Sequence, residues 1–211
     1  ARRVRMMRGH GVPQEHYFAR ETHSSPQLIP VRTRLRGIET HLVSAHGVFS
    51  HRGLDRGTEL LVAAMEVGAE DTVLDLGCGY GAVAVAAARL AIRGWVVASD
   101  VSMRAVELCR MNLAAQPSSR TLVLQADGYT AFRPGSFDVI VTNPPIRAGW
   151  RVVFPLIDGA PEMLRPGGTF FAVGRARQGI DTLVRRIEGA FGNCEVIRRG
   201  SGYKVVRARR G

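Results

Sequence analysis

The sequence has no run of about 18 apolar residues, so nothing in it reads as a membrane-spanning helix. Cysteine is scarce: Cys78, Cys109 and Cys194 are odd in number, widely spaced and without metal-ligand pairing. That argues against a disulfide framework or a zinc site and favours a reducing, cytoplasmic setting. No histidine follows position 51, and His41, His46 and His51 recur every five residues, which matches neither one helix face nor one strand face. No metal is expected. No nucleophile with a partnered base is visible either, which turns attention away from covalent catalysis. Lysine is almost missing, since every basic residue but Lys204 is arginine.

What the chain has instead is charge of one sign at its ends. Its 211 residues fit one domain, and 29 basic against 18 acidic residues give a net charge of +11. Residues 1–36 carry eight arginines against Glu15 and Glu21, and residues 198–211 carry six basic residues and no acid. Solvated tails would explain this; so would a footprint for the phosphates of a nucleic acid. The Arg-rich start also resembles a transit peptide, but residues 1–14 are poor in Ser and lack an apolar core.

Residues 1–30, with Pro13, Pro26 and Pro30 and no sustained period, read as a basic, loosely ordered N-terminal arm. Residues 31–50 read as a small hairpin with "AHG" (45–47) as its turn, leading into a core over 51–211. Residues 57–68 have helical spacing, with Thr58 as the N-cap and Gly68 as the stop. From Thr72 the β-branched runs "TVLDL", "WVVASD", "TLVLQ", "FDVIVTN" and "GTFFAV" alternate with helical stretches at 80–92, 102–115, 152–164 and 179–190. Such alternation predicts an α/β fold: a mostly parallel sheet with helices on both faces. The runs "CEVIRR" and "YKVVRA" are too close for a parallel crossover, so the sheet should close with an antiparallel C-terminal hairpin.

Ligands of such sheets sit at the carboxyl ends of the strands. The first of these strands ends in "LDLGCGYGAV", with Asp75 and then Gly77, Cys78, Gly79 and Gly81 before a helix of small residues. Glycines let the backbone turn and approach a ligand, but the spacing departs from the dinucleotide pattern, Ala82 standing where a third glycine belongs. A carboxylate at Asp75 would repel a pyrophosphate and could hold an ammonium. Asp100, followed by Val101, stands 19 positions beyond Gly81, where a carboxylate accepts ribose hydroxyls. Asp127, followed by Gly128, can accept from an adenine amine. Ammonium, ribose and adenine with no required phosphate describe S-adenosylmethionine.

The next strand runs into "NPP", residues 143–145. The Asn143 side-chain oxygen and the Pro144 carbonyl could accept both hydrogens of an exocyclic amine, drawing its nitrogen out of ring conjugation and toward a methyl donor. Pro144 and Pro145 stiffen that pair.

Together these motifs resemble class I S-adenosylmethionine-dependent methyltransferases over residues 45–208, which implies a Rossmann-like, seven-stranded sheet. "GVFSHRGLDRGTELL", residues 47–61, resembles the matching segment of enzymes that methylate the exocyclic amine of guanine in small-subunit ribosomal RNA, and "NPPIRAG" resembles their small single-domain relatives. The resemblance implies that Phe49, Asp55, Gly57 and Thr58 line the cofactor or substrate entrance; Thr58 reads equally as a helix cap and Phe49 as core. It implies guanine N2 in ribosomal RNA as the target, with a protein glutamine amide, or a non-catalytic RNA-binding role, as alternatives. Ile146 stands where many NPP enzymes have Phe or Tyr to stack on a base, so adenine is disfavoured. Trp150 could supply a ring instead, or be rim or core; Arg147 and Arg151 could contact phosphate, or be surface charge. The expected partner is RNA, and the expected assembly is a monomer or a homodimer.

Overall fold

A computed structural model describes residues 27–48, 50, 53–116 and 120–211. The arm assigned to residues 1–30 therefore falls largely outside the described residues, and so does Phe49.

The hairpin pairs β1 (Leu28–Leu35) with β2 (Ile38–Ala45) and turns at Arg36–Gly37, not at "AHG". Both turn residues have positive φ, 48° and 83°, as a two-residue hairpin turn with the native twist demands, and Gly37 supplies this without strain. Arg36 is held in that conformation from outside: its Nη1 donates to the carbonyls of Val62 (3.0 Å) and Met65 (3.2 Å) at the end of the following helix. That helix, α1 (Arg56–Ala64), is capped by Asp55, whose carboxylate accepts from Thr58 N at 3.1 Å. Thr58 is thus not the cap, and the helix ends at Met65, well before Gly68.

The remaining elements follow the predicted rhythm: β3 (Thr72–Leu76), α2 (Ala82–Ala88), β4 (Trp95–Asp100), α3 (Met103–Ala114), β5 (Thr121–Gln125) and β6 (Phe137–Thr142). After them come α4 (Trp150–Asp158), α5 (Ala160–Met163), β7 (Leu164–Arg175), α6 (Ile180–Phe191), β8 (Glu195–Gly200) and β9 (Tyr203–Arg209). The single helix expected over 152–164 starts earlier and breaks at Gly159, where a Cβ would lie 2.7 Å from the Tyr129 ring.

Seven strands form one sheet in the order β5-β4-β3-β6-β7-β9-β8. The five from β5 to β7 are parallel, and β9 runs antiparallel to both β7 and β8. Alternate residues feed opposite cores. Val73, Val141 and Phe171 pack under α1, α2, α3 and the N-terminal hairpin, while Leu74, Ile140 and Phe170 pack under α4 and α6. The chain moves outward from β3 to β4 and β5, then returns to β6 on the other flank of β3. A crevice opens at that switch point, beyond the carboxyl ends of β3 and β6.

Candidate active site

The glycine loop leaves β3 with Gly77, Gly79 and Gly81 all at positive φ (75°, 54° and 88°). Two of them serve differently from the third. A Cβ on Gly77 or Gly79 would meet nothing within 4 Å, whereas one on Gly81 would lie 2.6 Å from Cys109 Sγ, so Gly81 is a packing glycine. The loop is tied to β4: Gly77 N and Cys78 N donate to the Ser99 carbonyl at 2.8 and 2.9 Å, and Gly79 N donates to Asp100 Oδ2 at 2.9 Å. Asp100 Oδ1 accepts from Ser102 N at 2.9 Å. Burial raises the Asp100 carboxyl above its ordinary range, opposed by the amides of Ser102, Gly79 and Val101. Three amide donors on a carboxylate's four acceptor positions leave one for a ligand hydroxyl.

Asp75 does other work than the sequence suggested. It is 2% exposed and does not line the cavity; its Oδ2 accepts from Ala84 N at 2.9 Å. Gly81, the N-cap of α2, has no side chain to cap with, and Asp75 takes over that task from the neighbouring strand. Burial pushes its carboxyl up to about 7, the Ala84 amide opposing and Asp100 adding to the rise.

A cavity of about 620 Å³ lies over these strand ends. On the β3–β4–β5 side it is lined by Gly77, Gly79, Asp100, Val101, Asp127 and Gly128. On the β6–β7 side it is lined by Asn143, Pro144, Pro145, Ile146 and Arg147, with Asp55, Arg175, Gln178 and Tyr203. Cys78, Gly81 and Thr58 do not line it, and neither does Trp150. The Trp150 ring stacks on Phe154 at 5.3 Å, and a Cβ on Gly179 would sit 2.6 Å from it, so it is spent on packing between helices rather than facing a substrate. The Cys78 thiol is buried; its hydrogen bond with Cys109 and its burial raise its pKa well above the ordinary thiol value.

The NPP corner is an inverse γ-turn. Pro145 has φ −76° and ψ 68°, and Ile146 N donates to the Pro144 carbonyl at 2.8 Å, so the proline ring fixes the angle that the turn needs. One lone pair of that carbonyl remains. Just before it, Thr142 Oγ1 donates to the Leu76 carbonyl at 2.8 Å and locks the ends of β6 and β3 together. Asn143 Nδ2 donates to Thr58 Oγ1 at 3.0 Å and to Asp55 Oδ2 at 3.4 Å. A carboxylate only accepts, so the amide nitrogen must face Asp55 and the amide oxygen is left for another donor. Tyr203 completes the group, its hydroxyl donating to Asp55 Oδ1 at 3.1 Å. Burial, then the Asp55 charge, raises the pKa of the Tyr203 hydroxyl.

Sequence reasoning missed Tyr203, Arg175 and Gln178. The signal was topological: an antiparallel strand begins where its parallel neighbours end, so the first residue of β9 stands at the functional edge. There it pairs with Arg175, the last residue of β7, whose guanidinium carbon lies 5.8 Å from the Tyr203 ring centre.

The cavity fits S-adenosylmethionine on its own evidence. The space over Gly77 and Gly79 is open, the Asp100 carboxylate faces it, and Ser99 Oγ, 1% exposed and without a partner among the described residues, lines it. No cluster of three or more His, Cys, Asp or Glu suited to a metal occurs among the described residues, and no helix among them is long and apolar enough to cross a membrane.

The chain is 30% identical over 198 residues to "Uncharacterized protein YbxB" of Bacillus subtilis (strain 168), covering 93% of this chain and 98% of that one. It is 36% identical over 174 residues to "Ribosomal RNA small subunit methyltransferase C" of Pseudomonas entomophila (strain L48), covering 81% of this chain and 51% of that protein. The chain thus spans about half the length of that relative. Among solved structures, "T. Thermophilus 16S rRNA N2 G1207 methyltransferase (RsmC) in complex with AdoMet and Guanosine" superposes with a TM-score of 0.77 at 28% identity, over 90% of this chain and 52% of that one. A SAM dependent methyltransferase from Aquifex aeolicus shares the fold at 15% identity and a TM-score of 0.61, over 74% of this chain and 90% of that one. The profile described as "Methyltransferase small domain" matches residues 39–207, which takes in the whole cavity lining named above, and the chain belongs to that family of class I S-adenosylmethionine-dependent methyltransferases.

Proposed function

We propose that this protein methylates the exocyclic amine of a nucleobase, guanine N2 in ribosomal RNA. The observation that supports this reading is the fixed Asn143 amide: its nitrogen is held by Thr58 and Asp55, which leaves its oxygen, in the corner that also carries the Pro144 carbonyl, as an acceptor for another donor. Backbone at Gly77 and Gly79, Asp100, and Asp127 with Gly128 would hold S-adenosylmethionine. When bound, it supplies an electrophilic sulfonium methyl, whose transfer to nitrogen breaks the S–C bond as the N–C bond forms. The two acceptors take the amine hydrogens, turn the nitrogen lone pair out of the ring system and hold it in line. After transfer the nitrogen gives up a proton to solvent, so no general base is needed. The names of the Pseudomonas and T. thermophilus relatives support RNA as substrate, and Arg147 and Arg175 at the cavity support a polyanion.

The test is incubation with methyl-labelled S-adenosylmethionine and either unmodified small-subunit ribosomal RNA or a protein extract, followed by digestion. Label recovered as N2-methylguanosine is the expected result. Label in glutamine, in another nucleoside or in neither fraction overturns the reading.

A further inference from the structure

Asp55 has acceptor capacity that the fold does not use. A carboxylate offers about four acceptor positions. Three are taken: Thr58 N at 3.1 Å and Asn143 Nδ2 at 3.4 Å on Oδ2, and the Tyr203 hydroxyl at 3.1 Å on Oδ1. The fourth, on Oδ1, belongs to a side chain that lines the cavity next to the amine acceptors. These three bonds also fix the carboxylate from three directions: the N-terminus of α1, the end of β6 and the start of β9.

We infer that Asp55 is the residue that selects the base, by accepting the ring N–H adjacent to the amine being methylated. The inference rests on the amine-methylation reading above. Guanine is the common base whose exocyclic amine neighbours a ring N–H; in adenine and cytosine the ring nitrogens beside the amine are acceptors. An acceptor facing the Asp55 carboxylate finds no hydrogen and meets like charge, so those bases are rejected where guanine is held. Ile146, which supplies no ring to stack on, is then consistent with a site that identifies its base from the edge. Tyr203 acts through Asp55 as a positioning residue, since its hydroxyl orients the oxygen that does the reading.

The experiment uses short oligouridylate strands carrying one central guanosine, 2-aminopurine riboside or adenosine, with methyl-labelled S-adenosylmethionine. 2-Aminopurine keeps the 2-amine and lacks the ring N–H. The wild-type protein should methylate guanosine roughly 10- to 150-fold faster than 2-aminopurine, the factor that a hydrogen bond to a charged group carries. Asp55→Asn and Asp55→Ser both retain a helix-capping side chain but lose the carboxylate. Both should bring the guanosine to 2-aminopurine ratio toward one, whereas a merely structural defect lowers both rates together and leaves the ratio unchanged. Equal wild-type rates on guanosine and 2-aminopurine, or an unchanged ratio in both variants, overturn the inference and leave amine methylation standing. Preference for adenosine, or no label in any strand, overturns the inference along with the proposed function.

Discussion

Gly57→Ala is a substitution that local rules favour and the site forbids. Gly57 lies in the first turn of α1 without positive φ, so alanine should improve the helix by up to about 1 kcal/mol. Its Cβ, however, would stand 2.7 Å from Tyr203 Cε1, 2.8 Å from Tyr203 Cδ1 and 2.8 Å from Asp55 Oδ2. Ordinary carbon contact needs about 3.5 Å, so the tyrosine ring must retreat by roughly 0.8 Å. That retreat stretches the 3.1 Å bond from Tyr203 to Asp55 beyond hydrogen-bonding range and frees the carboxylate that holds Asn143. A hydrogen bond to a charged group contributes about 1.5–3 kcal/mol, which corresponds to a loss of roughly 10- to 150-fold in kcat. Methyl-transfer kinetics would be measured with cofactor affinity and thermal melting. The variant should melt within a few degrees of wild type, bind S-adenosylmethionine normally and turn over slowly. Tyr203→Phe should show the same loss, and the double variant should be little worse than either single one. Wild-type kcat in Gly57→Ala would refute the claim that this contact positions the site.

Asp75→Asn tests the capping assignment. The folded chain holds a proton on Asp75 that the unfolded chain, with its carboxyl near 3.8, has already released. Wild-type stability should therefore fall as pH rises from about 4 to about 7, by at most about 4 kcal/mol from this group. Asparagine keeps an oxygen for Ala84 N without the titration. In melts, Asp75→Asn should gain on wild type as pH rises through that window, and a deficit that widens toward pH 8 would contradict the assignment. Arg147→Ala with Arg175→Ala should weaken binding to single-stranded ribosomal RNA fragments and flatten the log–log salt slope by about 1.4, from two lost phosphate contacts. An unchanged slope would remove these arginines from the RNA path.

The strands were legible because β-branched runs bounded by glycine and aspartate leave little alternative: "TVLDL" and "WVVASD" are β3 and β4 residue for residue. The NPP corner was legible because two prolines admit few conformations. The capping role of Asp75 was not legible because it depends on a missing cap six residues away, at Gly81, and a carboxylate's partner is not encoded in its own neighbourhood. Trp150 stayed open between a substrate-facing ring and core or rim because an aromatic beside a site looks the same in sequence whether it faces a ligand or, as here, packs on Phe154. The hairpin turn was misplaced because Arg36 seems unsuited to positive φ until Val62 and Met65 accept its guanidinium. Tyr203 and Arg175 came together only through the register of β7 and β9, which pairs residues 28 positions apart in sequence.

The central claim is that the Asn143 oxygen prepares an amine for methylation. Asn143→Ala, assayed in single turnover on small-subunit ribosomal RNA with S-adenosylmethionine affinity measured in parallel, tests it most directly. The account predicts a fall in the transfer rate of roughly 100-fold or more, the scale for losing one preorganised polar group in an active site, with cofactor affinity nearly unchanged. A transfer rate equal to wild type would contradict it.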